Sequence, residues 1–325
     1  MKPFQTFGRR VGILFGALFV SASVTAQIFP SKPIRIVVGF PPGGSTDLVA
    51  RSIAPKMQEA LGQPVIVENR PGAGGGIAVE LAAKSPPDGH VLAISAPGAL
   101  TVNMHFAKVP YHPLNDLDPV TMLVTSPLVL AVNASFPAQS VGELIAYTRT
   151  RPGAVSFSTI GPYTISFLAG ELLKHMTGIN IVAVPYKGGS PASAAIATGE
   201  VQMGFMDTTG VLPFVRSGRV RLLAIAESKR SVTLPDVPTM VEAGVPGYEA
   251  NSWLAMVTAA GTPPEILSRL NAEVTRALAY PDVRERCLNA GLEPTPTSLA
   301  GTRQMLRTQF EKWRNLVKER GLKAE

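Results

Sequence analysis

The sequence predicts an α/β protein with two domains, each a mostly parallel sheet flanked by helices. Short runs of β-branched residues alternate with segments of helical period along the chain, and this alternation is typical of parallel sheets connected through helices. Two apolar segments, 126–132 and 248–257, bracket a middle block that repeats the α/β pattern. Two crossings between domains can form a hinge, so we expect a two-lobed protein with its ligand in the cleft.

The domain boundaries follow from these crossings. Residues 1–26 are interpreted as an export signal, residues 27–127 together with 248–325 as domain 1, and residues 128–247 as domain 2. The remaining chain of about 300 residues is long enough for two domains with separate cores.

The amino terminus has the parts of a secretory signal peptide. Basic residues precede an apolar stretch at 11–20, and small residues at 24–26 provide a cleavage site. Because the stretch is too short to span a membrane, we expect a mature periplasmic protein that begins near Gln27. The pair Arg9 and Arg10 leaves twin-arginine export open beside the general secretory route.

Charge and cysteine content argue against several classes of protein. The formal net charge of +7 includes three basic residues within 1–26. The chain has no cluster of basic residues interleaved with aromatics, so we expect no nucleic-acid partner. Cys287 is the only cysteine, which excludes an intrachain disulfide framework and a thiolate metal cage. We expect a monomer without cofactor or metal.

Local patterns predict each element in turn. Strands are predicted at 34–38, 64–68, 90–95, 155–159, 181–184, 201–206 and 220–226, where β-branched and apolar residues lie between turn residues. Helices are predicted at 48–61, 77–84 and 299–320, where apolar residues recur with helical period.

Two capping boxes predict further helix starts. Ser140 with Glu143 has the spacing in which each residue satisfies an amide of the other. Thr262 with Glu265 repeats this spacing, and Pro263 is expected at the first helical position, where its missing N–H costs nothing.

The segment 39–47, Gly-Phe-Pro-Pro-Gly-Gly-Ser-Thr-Asp, joins the first strand to the first helix. Glycine lets the backbone turn sharply and approach a ligand, and Ser45, Thr46 and Asp47 are residue types that cap helices. Free amides and the helix dipole stabilise a carboxylate or phosphate at such a place. An ordinary capped strand-to-helix connection is equally compatible with this motif alone.

A second turn at 158–164, Ser-Thr-Ile-Gly-Pro-Tyr-Thr, also leads from a predicted strand into a helix. If the two turns face each other across the cleft, each lobe presents a helix amino terminus to the same anion. Closure of the lobes would then be coupled to binding. A plain capped helix is again the alternative.

Several motifs in order along the chain resemble one family. They are FPPGGSTD at 40–47, ENRPGAGG at 68–75, LAGEL at 168–172, VPYKGG at 184–189, LPDVPT at 234–239 and GYE at 247–249. Together they are similar to the Bug-type (TctC-like) extracytoplasmic solute receptors of tripartite tricarboxylate transporters. This resemblance covers essentially the mature chain and implies a two-lobed periplasmic-binding-protein fold that holds a carboxylate largely through backbone amides and bridging waters.

The resemblance also implies ligand contacts in both lobes. In lobe 1 the matching residues are Phe40, Pro42, Gly43, Ser45, Thr46, Asp47, Ser95 and Ala96. In lobe 2 they are Ser158, Thr159, Gly161, Tyr163, Thr164 and Asp207. Asp207 resembles an acidic residue that in some relatives meets a ligand amine or hydroxyl, and it is equally compatible with a helix cap.

The second turn departs from the family pattern. Where Gly-Asn-Gly and a later histidine are common, this chain has Gly161, Pro162, Tyr163 and Phe167. Proline removes an amide donor and tyrosine adds bulk. We therefore hypothesise a ligand with one firmly held carboxylate and an aromatic or otherwise apolar remainder, rather than citrate. Alternatively, Tyr163 faces solvent and specificity is unchanged.

Signatures of enzymes are weak. The segment 72–77 begins like a dinucleotide fingerprint, but Ile77 takes the place of the third glycine. Neither a phosphate-binding Gly-Lys-Ser/Thr nor a Gly-x-Ser-x-Gly elbow occurs, and the histidines lack zinc-ligand spacing. Asp116 and Asp118 are interpreted as part of a polar turn. We expect no enzyme, with a periplasmic hydrolase as the alternative from another class.

The expected partners are a small organic carboxylate and the membrane permease subunits of a tripartite transporter. Presentation of the bound ligand to a membrane sensor kinase is also compatible with this sequence, because surfaces of both lobes would serve either partner.

Overall fold

A computed structural model describes residues 29–161, 164–227 and 229–320, together with Met1. The strands are β1 Ile34–Val38, β2 Val65–Asn69, β3 Val91–Ser95, β4 Leu117–Ser126, β5 Leu128–Asn133, β6 Val155–Thr159, β7 Ile181–Pro185, β8 Met203–Asp207, β9 Val220–Ile225, β10 Ser252–Ala259 and β11 Glu293–Pro294. The helices are α1 Ser45–Leu61, α2 Gly76–Ala83, α3 Val141–Arg149, α4 Ile165–Thr177, α5 Gly189–Thr198, α6 Thr208–Arg216, α7 Pro264–Ala279, α8 Pro281–Asn289 and α9 Leu299–Arg320. None of these helices is both long and apolar enough to cross a bilayer.

Lobe 1 is built on a sheet with strand order β11-β4-β10-β3-β1-β2. On one face Ile36 of β1 packs in a buried cluster with Ile53 of α1 and Leu270 of α7. On the other face Val79 of α2 and Leu306 of α9 belong to a second cluster. Both faces are therefore covered, which explains why β1 is almost uniformly apolar.

Lobe 2 is built on a sheet with strand order β7-β6-β8-β5-β9. Phe157 of β6 packs with Leu168 of α4 on one face. Ile196 of α5 and Val211 of α6 pack on the other. The two sheets with helices on their faces confirm the predicted two-lobed α/β fold.

Both sheets are mixed rather than mostly parallel. Strand β1 pairs in parallel with β2 and β3, and β6 with β7 and β8. One strand of each sheet runs the other way: β10 pairs antiparallel with β3 and β4, and β5 antiparallel with β8 and β9. These two are the strands along which the chain enters one lobe from the other.

The chain passes between the sheets at two places. Strand β4 ends at Ser126 and β5 begins at Leu128, while the return path runs from β9 to Ser252 of β10. On that path the Tyr248 hydroxyl donates to the Ala169 carbonyl of α4 at 2.6 Å. We therefore propose that lobe 2 extends to about residue 250, beyond the boundary at 247 set from the sequence.

One predicted capping box forms in part and the other does not; in the first, the Glu143 carboxylate accepts from the Gln139 amide at 2.7 Å rather than from the Ser140 amide. The Ser140 hydroxyl accepts from the Glu143 amide at 3.2 Å, so the predicted start of α3 is confirmed. In contrast, Pro263 is the residue that caps α7, and the Thr262 hydroxyl donates to the Ala259 carbonyl at 2.7 Å. The Thr262–Glu265 box is therefore wrong, because Pro263 lies before the helix rather than inside it.

The predicted polar turn at Asp116 and Asp118 is partly wrong. Asp118 lies in β4, and its carboxylate accepts from the Arg303 guanidinium at 2.8 Å. This long-range ion pair keeps an acidic residue in a strand that local propensity does not favour.

Candidate functional site

A cavity of about 140 Å³ lies between the two lobes. Its wall combines residues that follow β1 and β3 in lobe 1 with residues that follow β6, β7 and β8 in lobe 2. In open α/β sheets, ligands bind at the carboxyl ends of strands, and the wall lies there in both lobes. The space accommodates roughly ten water molecules, or a ligand with a similar number of non-hydrogen atoms.

The first turn presents an uncapped helix to this cavity. Gly44 is the cap residue of α1 and has no side chain to offer. Ser45 and Thr46, the first helical residues, line the cavity. Their amides belong to the four N–H groups that a helix leaves without an internal partner, so they are free to donate to an anion.

Asp47 holds the turn in shape instead of facing the ligand space. Its carboxylate accepts from the Gly43 amide at 3.1 Å, from Arg51 Nε at 2.9 Å and from Asn69 Nδ2 at 2.9 Å. Burial opposes ionisation, but these hydrogen bonds outweigh it and lower the pKa of the Asp47 carboxyl. The side chain is buried and does not line the cavity.

A glycine contact positions the aromatic wall of lobe 1. A Cβ at Gly39 would lie 2.6 Å from the Cα of Gly75, so these two backbones touch. A Cβ at Gly75 would lie 3.1 Å from the Phe40 ring. The glycine-rich loop therefore serves as a close-packed support for Phe40, which lines the cavity.

The second turn presents the amino terminus of α4. Thr164 is the cap residue, but its hydroxyl donates to the Gly161 carbonyl at 2.8 Å and caps no amide of α4. The Ser166 hydroxyl accepts from the Ile160 amide at 3.0 Å. The amides at the start of α4 therefore remain available, and Thr164, Ile165 and Ser166 line the cavity.

Two further helices of lobe 2 begin at the same wall. Helix α5 has Gly188 as its cap residue, and α6 has Asp207, with no side-chain cap in either case. Residues from both first turns line the cavity, among them Gly189 and Thr209. The positive ends of α1, α4, α5 and α6 thus converge on one space, which favours a negatively charged occupant.

Asp207 connects the lobes. Its Oδ2 accepts from the Ser45 hydroxyl at 3.0 Å, and its Oδ1 accepts from the Ser252 hydroxyl at 3.1 Å. Burial raises the pKa of the Asp207 carboxyl, and these serine hydrogen bonds oppose the rise. Its side chain caps no amide of α6, so the alternative interpretation of the Asp207 side chain as a helix cap is wrong.

The structure brings about half of the predicted contact residues to the cavity. Those that line it are Phe40, Pro42, Ser45, Thr46, Ala96, Thr164 and Asp207. Those that do not line it are Gly43, Asp47, Ser95, Ser158, Thr159 and Gly161. Tyr163, with Pro162, lies outside the described residues, so its predicted role stays a prediction. Ser95 and Ser158 are fully buried.

Sequence reasoning missed the turn after β7 and most of the apolar floor. Lys187, Gly188 and Ser190 line the cavity, as do Leu128, Phe205 and Leu254. The motif VPYKGG was visible in the sequence, and its two glycines before a helix were the available signal. The floor residues are ordinary strand residues, and only the meeting of the two sheets exposes them to the cleft.

Comparison with known proteins identifies the family. A model of the "Tripartite tricarboxylate transporter family receptor", TctC, matches residues 49–322. The chain belongs to this family.

Relatives of the TctC receptor family match along almost the full chain. BugT of Bordetella pertussis is 39% identical over 317 residues, which covers 97% of this chain and 97% of BugT. A structure of an R. palustris protein with adipate is 34% identical with a TM-score of 0.85, covering 90% of this chain and 98% of that one. MatC from Rhodopseudomonas palustris with bound malate is 33% identical with a TM-score of 0.84, covering 89% of this chain and 100% of that one.

These similarities confirm the resemblance seen in the motifs. The fold is the two-lobed fold of periplasmic binding proteins. The family and its structural neighbours are solute-binding receptors rather than enzymes, and two of the neighbours hold carboxylates.

Proposed function

We propose that this receptor captures a small organic carboxylate in the cleft and delivers it to the membrane permease subunits of a tripartite tricarboxylate-type transporter. The observation that carries the proposal is the convergence of uncapped helix amino termini from both lobes, α1 from one and α4 from the other, on a single cavity. An anion between them bonds to both lobes, so binding favours closure.

The available donors are sufficient in energy. A hydrogen bond to a charged group contributes about 1.5–3 kcal/mol. Three or four such bonds supply the roughly 8 kcal/mol of micromolar affinity after ordering costs are subtracted. The site therefore needs no cationic side chain to hold one carboxylate.

The rest of the ligand is expected to be apolar. Phe40 and Pro42 of lobe 1 and Ile160 and Phe205 of lobe 2 form much of the wall. Contact of hydrocarbon with these side chains gains free energy, whereas the hydroxyl and extra carboxylates of citrate would lose hydration against them. In isothermal titration calorimetry we expect benzoate or hexanoate to bind more tightly than citrate. Tight binding of citrate alone would contradict this ligand class.

A single amide tests the mode of capture. Ser45→Pro removes the N–H at the first position of α1, where proline is tolerated and the preceding Gly44 is extended (φ −88°, ψ 176°). Ser45→Ala is the matched control, because both variants lose the hydroxyl and only proline loses the amide. We expect Ser45→Pro to bind the best carboxylate roughly tenfold or more weakly than Ser45→Ala. Equal affinities would show that the α1 amide is not a donor.

Delivery and export are tested in cells. Deletion of the gene should abolish uptake of the labelled carboxylate, and the intact gene should restore it. Residues 2–26 lie outside the described residues, and we propose that the segment 1–26 directs export. Amino-terminal sequencing of the mature periplasmic protein should then begin near Gln27.

A further inference from the structure

Asp207 places an acidic group in the wall of a cavity that is proposed to hold an anion. It is the last residue of β8, it is partly accessible, and it lines the cavity. Its two oxygens accept from the hydroxyls of Ser45 and Ser252. Ser45 is also the first residue of α1, whose amide is a proposed donor to the ligand. The Asp207 carboxyl group and the bound carboxylate would therefore lie on either side of a single residue.

The partners of Asp207 are neutral. Burial raises the pKa of its carboxyl group, and hydrogen bonds from the hydroxyls of Ser45, Ser252 and Ser126 oppose the rise. Asp207 forms no ion pair with a residue in the described ranges, so serine hydroxyls alone stabilise its ionised form. A second anion beside it disfavours that form further, as happens when two carboxyl groups share one site.

Other charges on the surrounding elements do little to offset this effect. Strands β5 and β10 contain no ionisable residue. The charged side chains on the other neighbouring segments are Asp47 and Arg51 in the first two turns of α1, Asp118 on β4, Arg216 on α6, Glu293 on β11 and Lys187 before α5.

Each of these groups is paired, distant or exposed. Asp47 pairs with Arg51, and Asp118, near the far end of β4, pairs with an arginine of α9. Glu293 accepts from the Ser231 hydroxyl, and the arginine of α6 is the last residue of that helix. Lys187 lines the cavity but is exposed to solvent, which screens its charge.

We propose that Asp207 binds the ligand carboxylate as a neutral acid, taking up one proton from solvent and donating it in a hydrogen bond to the bound anion. This inference rests on the proposed capture of a carboxylate by the helix amino termini. One proton enters with each ligand, so the closed cavity holds one negative charge instead of two. Hydrogen bonds of the O–H···O⁻ type are short and strong, and the protonated carboxyl group keeps acceptor sites for the serine hydroxyls.

Calorimetric titration at several pH values tests the proposal. Carboxyl groups of small acids such as benzoate and hexanoate ionise near about pH 4–5, so above about pH 6 any proton must be taken up by the protein. We expect affinity to fall as the pH rises from about 6 to about 9, at least about fivefold in total and at most about tenfold per pH unit. Titration near pH 8 in two buffers of different ionisation enthalpy should give different binding enthalpies, because the buffer supplies the proton.

Three variants identify the group that takes up the proton. Asp207→Asn has no ionisable group at this position, so its affinity should change less than about twofold over the same pH range, whatever its level. Ser252→Ala removes one hydrogen bond that stabilises the ionised form, so the fall in affinity should begin at a higher pH. Glu227→Gln is the matched control: Glu227 has a pKa raised to about 7 but does not line the cavity, and this variant should keep the fall.

The possible results separate this inference from the proposed function. An affinity independent of pH in the unaltered protein would show that Asp207 takes up no proton on binding. A fall that persists in Asp207→Asn, or that disappears in Glu227→Gln, would assign the proton to another group and overturn the proposal. If Asp207→Asn binds too weakly to measure, the position of the fall in Ser252→Ala decides. In each case carboxylate binding still supports the proposed function, whereas absence of binding at every pH would overturn both proposals.

Discussion

Gly43 shows how a single backbone conformation can matter more to binding than to stability. Its φ is +89°, a value that side chains rarely adopt, yet no atom lies within 4 Å of the place a Cβ would take. Its amide donates to Asp47, which in turn holds the first turn. Substitution therefore strains the backbone of the turn without creating a clash.

We predict that Gly43→Val abolishes carboxylate binding while the melting temperature of the unliganded protein falls by only a few degrees. Strain of this kind costs about 1–3 kcal/mol. With an unfolding entropy of about 2.1 cal/mol/K per residue, each kcal/mol lowers the melting temperature of a chain of about 300 residues by about 1.6 °C. Gly153→Val is the matched control, since Gly153 has φ +77° and open space but lies outside the cleft. Calorimetric titration should show normal binding for the control. Binding retained in Gly43→Val would count against the site.

Glu227 provides a prediction about pH. It lies just after β9, and its pKa is raised to about 7, first because burial disfavours the charge and then because Glu293 and Glu249 repel it. A carboxyl group whose pKa is raised in the folded protein stabilises the fold while it is protonated. This contribution is fully present below the ordinary pKa near 4.5 and is lost as the pH rises through about 7. The ionised group therefore destabilises the fold at alkaline pH.

Glu227→Gln should raise the melting temperature at pH 8 and leave it unchanged near pH 4. Glutamine is neutral at both pH values, whereas Glu227 is neutral only near pH 4. Scanning calorimetry across this range measures the difference. The exposed Glu285, replaced by glutamine, should show no such pH-dependent gain. A gain of the same size at both pH values would mean that packing, not charge, causes it.

The absence of a side chain at Gly170 lets helix α4 pack closely against β6 in lobe 2. A Cβ at Gly170 would lie 2.1 Å from the Phe157 ring of β6, so the helix packs directly on the strand. Glycine in a helix costs about 1 kcal/mol relative to alanine, but overpacking a core costs about 1–3 kcal/mol. At Gly170 the steric cost of an added methyl group therefore exceeds the gain in helix propensity.

We predict that Gly170→Ala destabilises the protein, whereas Gly142→Ala stabilises it. Gly142 lies in α3 with only Ser140 Oγ within 4 Å of its added Cβ, at 3.9 Å, so it gains helix propensity without a clash. Denaturant unfolding of the two variants should give free energies that shift in opposite directions. Equal stabilisation of both would show that Phe157 moves aside without cost.

The sequence predicts elements well where the signal is local. Strand β6 and helix α9 have the predicted bounds, Val155–Thr159 and Leu299–Arg320, because apolar spacing and flanking turn residues mark both ends. The start of α7 was wrong because the chemistry of Thr262 fits two geometries, and the packing of the lobe selected a bond to Ala259. Local pattern does not distinguish such alternatives.

The candidate site was harder to predict than the fold, because most of it depends on distant contacts. The two turns proposed to bind an anion are local motifs, and the sequence indicated both. The turn at Lys187 lines the cleft, and there Gly188 lies close to Pro41 of the other lobe. Asp207 lies beside Ser45 although 162 positions separate them in the chain. Neither pairing has a periodicity or motif that reveals it.

The relative position of the two lobes depends in part on polar contacts at the floor of the cleft. Asp207 belongs to the sheet of lobe 2, while its hydrogen-bond donors Ser45 and Ser252 belong to α1 and β10 of lobe 1. The bond to Ser252 lies where the chain returns to lobe 1, and the bond to Ser45 lies at the first turn. A single carboxyl group thus links the return crossing and the candidate site across the lobes.

We predict that Asp207→Asn opens the unliganded protein. The amide offers one acceptor atom in place of two, so one of the two serine hydroxyls loses its acceptor. The arrangement of the lobes seen here therefore loses stability relative to more open ones, and the population shifts. Small-angle X-ray scattering should show a larger radius of gyration than for the unaltered protein. Asp47→Asn is the matched control, because the hydrogen-bond donors to Asp47 all lie in lobe 1, and its radius should not change. An unchanged radius of gyration for Asp207→Asn would show that apolar contacts such as Gly188 with Pro41 hold the lobes together without the carboxylate. Opening of both variants would instead show that the effect comes from the first turn itself.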